Sequence, residues 1–119
     1  MSIPRKIVEQ VLDRDNHECV IAGPDCTHEA TVADHRANRG AGGSKVLDSP
    51  ECLVAACGID NGAKEDADES TRADLVRRGV RVPKASTNAA TRRRCAVTAV
   101  AYPDGTVWFL LPTGGRERV

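Results

Sequence analysis

Three cysteines and one aspartate most constrain how this chain can fold. Cys19 and Cys26 flank a Gly23-Pro24 turn with six residues between them, and Cys57 and Asp60 stand two residues apart from one another, with Gly58 and Ile59 between. One pair on a knuckle and one at the start of a helix suit a single tetrahedral zinc ion. A carboxylate binds zinc, so a set of Cys19, Cys26, Cys57 and Asp60 is chemically allowed. Cys52 is the rival for the fourth position, and spacing does not choose between it and Asp60. The alternative is that the cysteines are small buried hydrophobes without a metal.

The rest of the composition makes a metal staple useful. The chain has 119 residues, and only 3% are aromatic: Tyr102, Trp108 and Phe109. One domain spanning residues 1–119 is expected, with a core too poor in aromatic area to be generous. No apolar run approaches the length of a membrane span, and the first residues lack the apolar centre of a signal peptide. A cytoplasmic location is therefore expected, where disulfides are rare. Five cysteines, an odd number, then read as metal ligands plus spares. Formal net charge is zero, which argues against nucleic-acid binding by bulk charge and leaves room for a local basic face.

Patterning gives an α+β reading. Ile3, Ile7, Val8, Val11 and Leu12 recur at helical spacing, predicting a helix over residues 4–15 with Pro4 in its first turn. Residues 30–35 read as a short strand, 37–50 as a loop and 53–56 as a short apolar run. A helix is expected from near Asp60 through residue 69. A second piece over 70–78 would be capped by Ser70 and stopped by Gly79. Residues 80–82 read as extended and 89–94 as a helical turn carrying Arg92, Arg93 and Arg94. Residues 95–102 and 106–111 predict a hairpin around Pro103-Asp104-Gly105, placing Cys95 in an apolar strand. The tail from Thr113 is expected to fray.

Between the two ligand pairs lie residues of a different chemistry. Asp34-His35 ends the first strand, and Asn61 follows Asp60. An imidazole can take a proton from water near neutral pH. The Asp34 carboxylate and Asn61 carbonyl are hard oxygen donors that favour Mg2+ or Mn2+. A divalent ion beside a base is what phosphodiester hydrolysis requires. One geometric demand follows: neighbouring strand residues point to opposite faces, so Asp34 and His35 can share a site only at a strand end, a bulge or a strong twist. Arg36, Arg39 and Lys45 surround the glycine-rich loop and could meet DNA phosphates, and the run at Arg92 could extend that footprint.

Taken together, Cys19, Cys26, Asp34-His35, Gly42-Gly43, Leu53, Cys57-x-x-Asp60-Asn61 and Lys64 resemble the HNH endonuclease family. In particular the chain looks like the small HNH proteins encoded by bacteriophages of actinobacteria, and the likeness covers the motif core, residues 19–64. The resemblance implies a treble-clef-like ββα-metal core, here with an N-terminal helix and a C-terminal β-hairpin. It implies His35 as general base, Asp34 and Asn61 as ligands of a catalytic ion, structural zinc on the cysteine set, and Lys64 at a basic position that could touch phosphate. It implies DNA as substrate and, for phage-type members, work beside the terminase large subunit in genome packaging, in the host cytoplasm. Two positions depart from the family: Cys52 stands where an asparagine usually braces the loop, and Asp60 replaces a cysteine. These departures motivate the rival reading, an inactive zinc-binding DNA or protein adaptor with the same fold.

Overall fold

The computed structural model describes residues 3–38 and 45–119. Arg39 and the glycine pair Gly42-Gly43 lie outside the described residues. Helix α1 (Arg5–Arg14) begins after Pro4, which caps it without a side-chain bond. Its apolar stripe faces the core: Val11 is fully buried, and Ile3, Ile7 and Leu12 pack beside it. Strand β1 (Val32–His35) pairs antiparallel with β2 (Leu53–Ala56), with Asp34 opposite Val54 and His35 opposite Leu53. All four β2 residues are completely buried, so β2 is the floor of the main core. That explains why its sequence is a continuous apolar run instead of an alternating one.

Helix α2 (Gly58–Ala63) follows β2 at once, and its last turn tightens into a 3-10 turn over Lys64–Asp66. The long helix expected from Asp60 therefore stops early. The backbone becomes extended at Ala67, and α3 (Glu69–Arg77) starts anew. Its cap is Asp68, whose carboxylate accepts from the Thr71 N–H at 2.7 Å, not Ser70 as expected. Asp68 is two residues earlier, and its ionised carboxylate also suits the positive end of the helix dipole.

Gly79 ends this segment with a φ of +77°. A Cβ built there would lie 2.0 Å from the Ala99 carbonyl oxygen. Both the left-handed backbone and the close approach require glycine. Gly79→Ala is expected to cost about 2–4 kcal/mol, read as a drop in the urea midpoint. A change under about 0.5 kcal/mol would show that the segment carrying Ala99 moves freely to make room. Residues 80–82 form no strand; the Val80 and Arg81 N–H groups both donate to the Leu75 carbonyl, turning the chain tightly after α3.

Two further expectations are corrected. Helix α4 (Asn88–Val97) is longer than a turn, capped by the Thr87 hydroxyl, which accepts from the Ala90 N–H at 3.0 Å. It absorbs Cys95, so Cys95 is helical and not in a strand; burial of Thr91 and Cys95 against the second core outweighs the β-propensity of the run that follows. The C-terminal sheet has three strands: β3 (Val100–Ala101), β4 (Val107–Leu110) and β5 (Arg116–Arg118). The tail is not frayed, because β5 pairs with β4 and the Arg116 guanidinium sits 4.1 Å from the Trp108 ring centre and 4.6 Å from that of Tyr102.

Among the described residues, four α-helices and two small sheets thus make a mixed α+β domain. A buried polar knot joins its parts. The Arg14 guanidinium donates twice to Asp15, to the Pro50 carbonyl at 2.8 Å and to the Leu53 carbonyl at 2.7 Å. Asp15 in turn accepts from the Ala55 N–H and the Tyr102 hydroxyl. Helix α1, strand β2 and the C-terminal sheet are held together in one network. No helix among the described residues is long and apolar enough to cross a membrane.

Candidate metal centre and the adjoining polar site

The cysteine set comes together as its spacing predicts. The ligand atoms of Cys19, Cys26, Cys57 and Asp60 all lie within 4.8 Å of one another. Tetrahedral zinc, about 2.3 Å from each sulfur, places its sulfurs about 3.7 Å apart, so the cluster matches the size and donor chemistry of such a site. Two elements build it. The knuckle over residues 19–26 supplies two thiols, and the β2–α2 junction supplies Cys57 as helix cap and Asp60 in the first turn. The Cys19 thiol donates to Asp60 Oδ2 at 3.1 Å. Gly23 N–H donates to the same oxygen at 3.1 Å. Gly23 leaves no room for a side chain, since a Cβ would meet Asp60 Oδ1 at 2.7 Å. The Asp60 N–H points at Cys57 Sγ and the His28 N–H at Cys26 Sγ. Backbone dipoles aimed at sulfur favour thiolates, the form that binds metal.

Titration follows this geometry. Burial pushes the Cys19 thiol up to about 12 in the metal-free protein. Cys26 is also raised, first by burial. At Cys57, burial raises the thiol, but hydrogen bonds from the Thr27 and Asp60 backbone outweigh it and the net direction is down. Asp60 is likewise held below the usual carboxylate range, because bonds from Cys19, Cys26 and Gly23 overcome its burial. The cluster therefore already carries negative charge, which suits a divalent cation.

Cys52 is not part of it. Its side chain is buried in a separate core with Ala37, Leu47, Val82 and Cys95. A hydrogen bond between the Cys52 and Cys95 thiols raises the former and lowers the latter, with burial adding to Cys52. Asp60 thus takes the fourth position, because β2 carries residue 52 to one end of the strand while the knuckle meets the other.

At the Leu53 end of the hairpin, away from the knuckle, sit Asp34 and His35. His35 is the last residue of β1, and its Nε2 lies 2.7 Å from Asp48 Oδ1, with both side chains largely buried. Asp34 bonds a different partner: Lys64 Nζ donates to Asp34 Oδ2 at 2.8 Å and also to the His35 carbonyl. The two neighbours meet through Lys64, while their side chains leave the strand in different directions, as strand alternation requires. Asn61 is exposed on α2, and among the described residues no hydrogen bond joins its side chain to either of them. Nor do any other three His, Cys, Asp or Glu side chains among the described residues gather as ligands.

The expected phosphate contacts divide. Arg36 is completely buried. Its guanidinium donates to the carbonyls of Gly79, Glu51, Cys95 and Thr98 at 2.7–2.9 Å. It is an internal tie and not a surface contact. Lys64 is 3% exposed and occupied by Asp34, so it too fails as a surface phosphate ligand. Lys45 is exposed and remains available. In the arginine run, Arg92 pairs with the buried Glu51 carboxylate at 3.0 Å and Arg94 bonds the Pro83 carbonyl. Asp48, Glu51 and the internal role of Arg36 were not legible in sequence. A weak signal existed only for Lys64, three residues after Asn61, where a helix turn brings it back toward β1.

Comparison with protein-family models, with curated proteins and with solved structures finds no significant match.

Proposed function

We propose that this protein is a metal-dependent DNA endonuclease of the HNH type, hydrolysing phosphodiester bonds. The observation that carries the reading is the His35–Asp48 pair at the end of β1, next to Asp34 and on the hairpin that leads into α2. If Nε2–H donates to Asp48, that carboxylate fixes the ring and leaves the other nitrogen to take a proton from water. The β1–β2 hairpin followed by α2, with the cysteine–aspartate cluster at its far end, supports a ββα-metal arrangement in which zinc is structural.

Asp34 and Asn61 are the oxygen donors that would hold Mg2+ or Mn2+, and such an ion would neutralise charge on the phosphate and leaving oxygen. DNA as partner, terminase as associate and action in the host cytoplasm belong to the same reading and rest on the sequence resemblance. A plasmid-nicking assay with Mg2+ or Mn2+ tests it. Wild-type protein should cleave, and His35→Ala should lower the rate by about 100-fold or more. Absence of cleavage by the wild type, or equal cleavage by His35→Ala, sinks the enzyme.

A second reading is favoured by one observation. The Lys64 ammonium already neutralises Asp34 at 2.8 Å, which competes with a cation there. On this reading the domain is a metal-stapled adaptor that binds DNA or protein without cutting, and the same assay separates the two.

A further inference from the structure

A basic pocket adjoins the Asp34–His35 end of β1. Arg36, Asn38, Lys64, Arg81 and Lys84 line a cavity of about 220 Å³ with two apolar residues and, among the described residues, no carboxylate. Lys64 belongs both to this wall and to the polar site, where it holds Asp34 and the His35 carbonyl. Lys64 therefore links the pocket to the Asp34 carboxylate and to the His35 main chain.

The charges on this wall are unequal. That of Lys64 is balanced by Asp34. That of Arg36 is not: among the described residues its acceptors are four backbone carbonyls, and no carboxylate pairs with it. A guanidinium stays protonated even when burial opposes it, so Arg36 carries a buried positive charge met by carbonyl dipoles and not by a carboxylate. Arg81 and Lys84 make no side-chain hydrogen bond or ion pair among the described residues. Two positive side chains without counter-charge among the described residues, Arg81 and Lys84, thus border one concave space in a chain whose formal net charge is zero.

We propose that this pocket is a phosphate subsite, in which Arg81 and Lys84 hold a backbone phosphate of a nucleic-acid strand next to the Lys64–Asp34 pair. The choice of nucleic acid as source of the phosphate rests on the nuclease reading; the anion chemistry rests on the pocket. Arg81 and Lys84 supply the direct donors. Phosphate held this way positions a strand without reading its sequence.

The test is binding, not cleavage, so that it stands apart from the nicking assay. Zinc-loaded full-length protein is titrated into a labelled duplex of about 20 base pairs without Mg2+ or Mn2+, at several salt concentrations. Arg81→Ala/Lys84→Ala should weaken binding about tenfold and reduce the slope of log affinity against log salt by about two. Lys6→Ala/Arg118→Ala removes the same charge elsewhere and should change affinity by less than about threefold. An unchanged slope in the first variant, an equal loss in the second, or no wild-type binding up to about 0.1 mM overturns the subsite. A parallel competition uses inorganic phosphate. Displacement of the duplex only at millimolar phosphate fits a strand phosphate, and displacement at micromolar phosphate makes the pocket a free-phosphate site and overturns the nucleic-acid assignment. Wild-type protein that binds the duplex as described and never cuts it would sink the nuclease and leave the subsite standing.

Discussion

Cys57→Ala is expected to abolish stoichiometric metal binding and with it cooperative folding. Cys57 is both a ligand atom of the cluster and the N-cap of α2, so its loss removes one of four ligands and frees the helix start. Structural zinc contributes about 10–16 kcal/mol to small zinc-folded peptides near neutral pH, whereas whole domains are stable by only about 5–15 kcal/mol. A domain with so thin an aromatic core should not survive loss of the ion. Elemental analysis should give about one zinc per wild-type chain and almost none for Cys57→Ala. Thermal melting followed by circular dichroism should lose its cooperative transition in the variant and in chelated wild type. A wild-type melt unaffected by chelator would show that the cluster is only a group of buried thiols. Asp60→Cys keeps four ligands and should retain the metal.

The same centre should respond to pH in a defined direction. Burial pushes the Cys19 thiol up to about 12 without metal, so the ion must displace a proton to bind there. Binding thus releases protons, and falling pH opposes it. Apparent affinity should drop about tenfold per pH unit for each proton displaced, measured by competition with a zinc indicator between pH 8 and pH 6. An affinity independent of pH over that range would mean the thiols were already ionised.

Arg36→Lys is expected to destabilise the fold by about 3–6 kcal/mol, despite preserving charge. Four carbonyls from three separate segments converge on this guanidinium, at 2.7–2.9 Å. A lysine has three donors on one nitrogen and cannot span them. Each buried acceptor left without a partner costs about 1–3 kcal/mol. Equilibrium unfolding in urea measures the loss. A change below about 1 kcal/mol together with weaker DNA binding would restore Arg36 to the surface role that its neighbourhood suggested. The two outcomes differ because a phosphate contact needs only charge, while an internal tie needs the fork of donors.

How much was legible in the sequence depended on how local the cause was. Helix α1 was readable because four apolar residues, Ile7, Val8, Val11 and Leu12, repeat along its own length and Ile3 precedes it in the same stripe. The cysteine set was readable because each half is a short-range motif: Cys19 and Cys26 around a glycine-proline turn, Cys57 and Asp60 within one helix turn. Strand β1 was read within a short strand over residues 30–35, and β2 as a short apolar run over 53–56. The extent of α4 and the order of the tail were not readable, because both depend on partners distant in the chain. Cys95 joins a helix where Cys52 and Leu47 cover it. Arg116 and Arg118 form a strand where β4 and the Trp108 ring receive them.

The same division holds at the proposed site. By itself the sequence determined the ligand types, the pairing of Asp34 with His35 at a strand end and the α+β class, since these follow from residue chemistry and short-range spacing. The tertiary structure alone decided between Asp60 and Cys52, placed Asp48 on His35 and Lys64 on Asp34, and turned Arg36 from a surface cation into an internal tie. The physical reason is common to all four: each is a pairing of polar groups across the fold. Burial makes such pairings obligatory, but spacing along the chain carries no trace of which partner will be within reach.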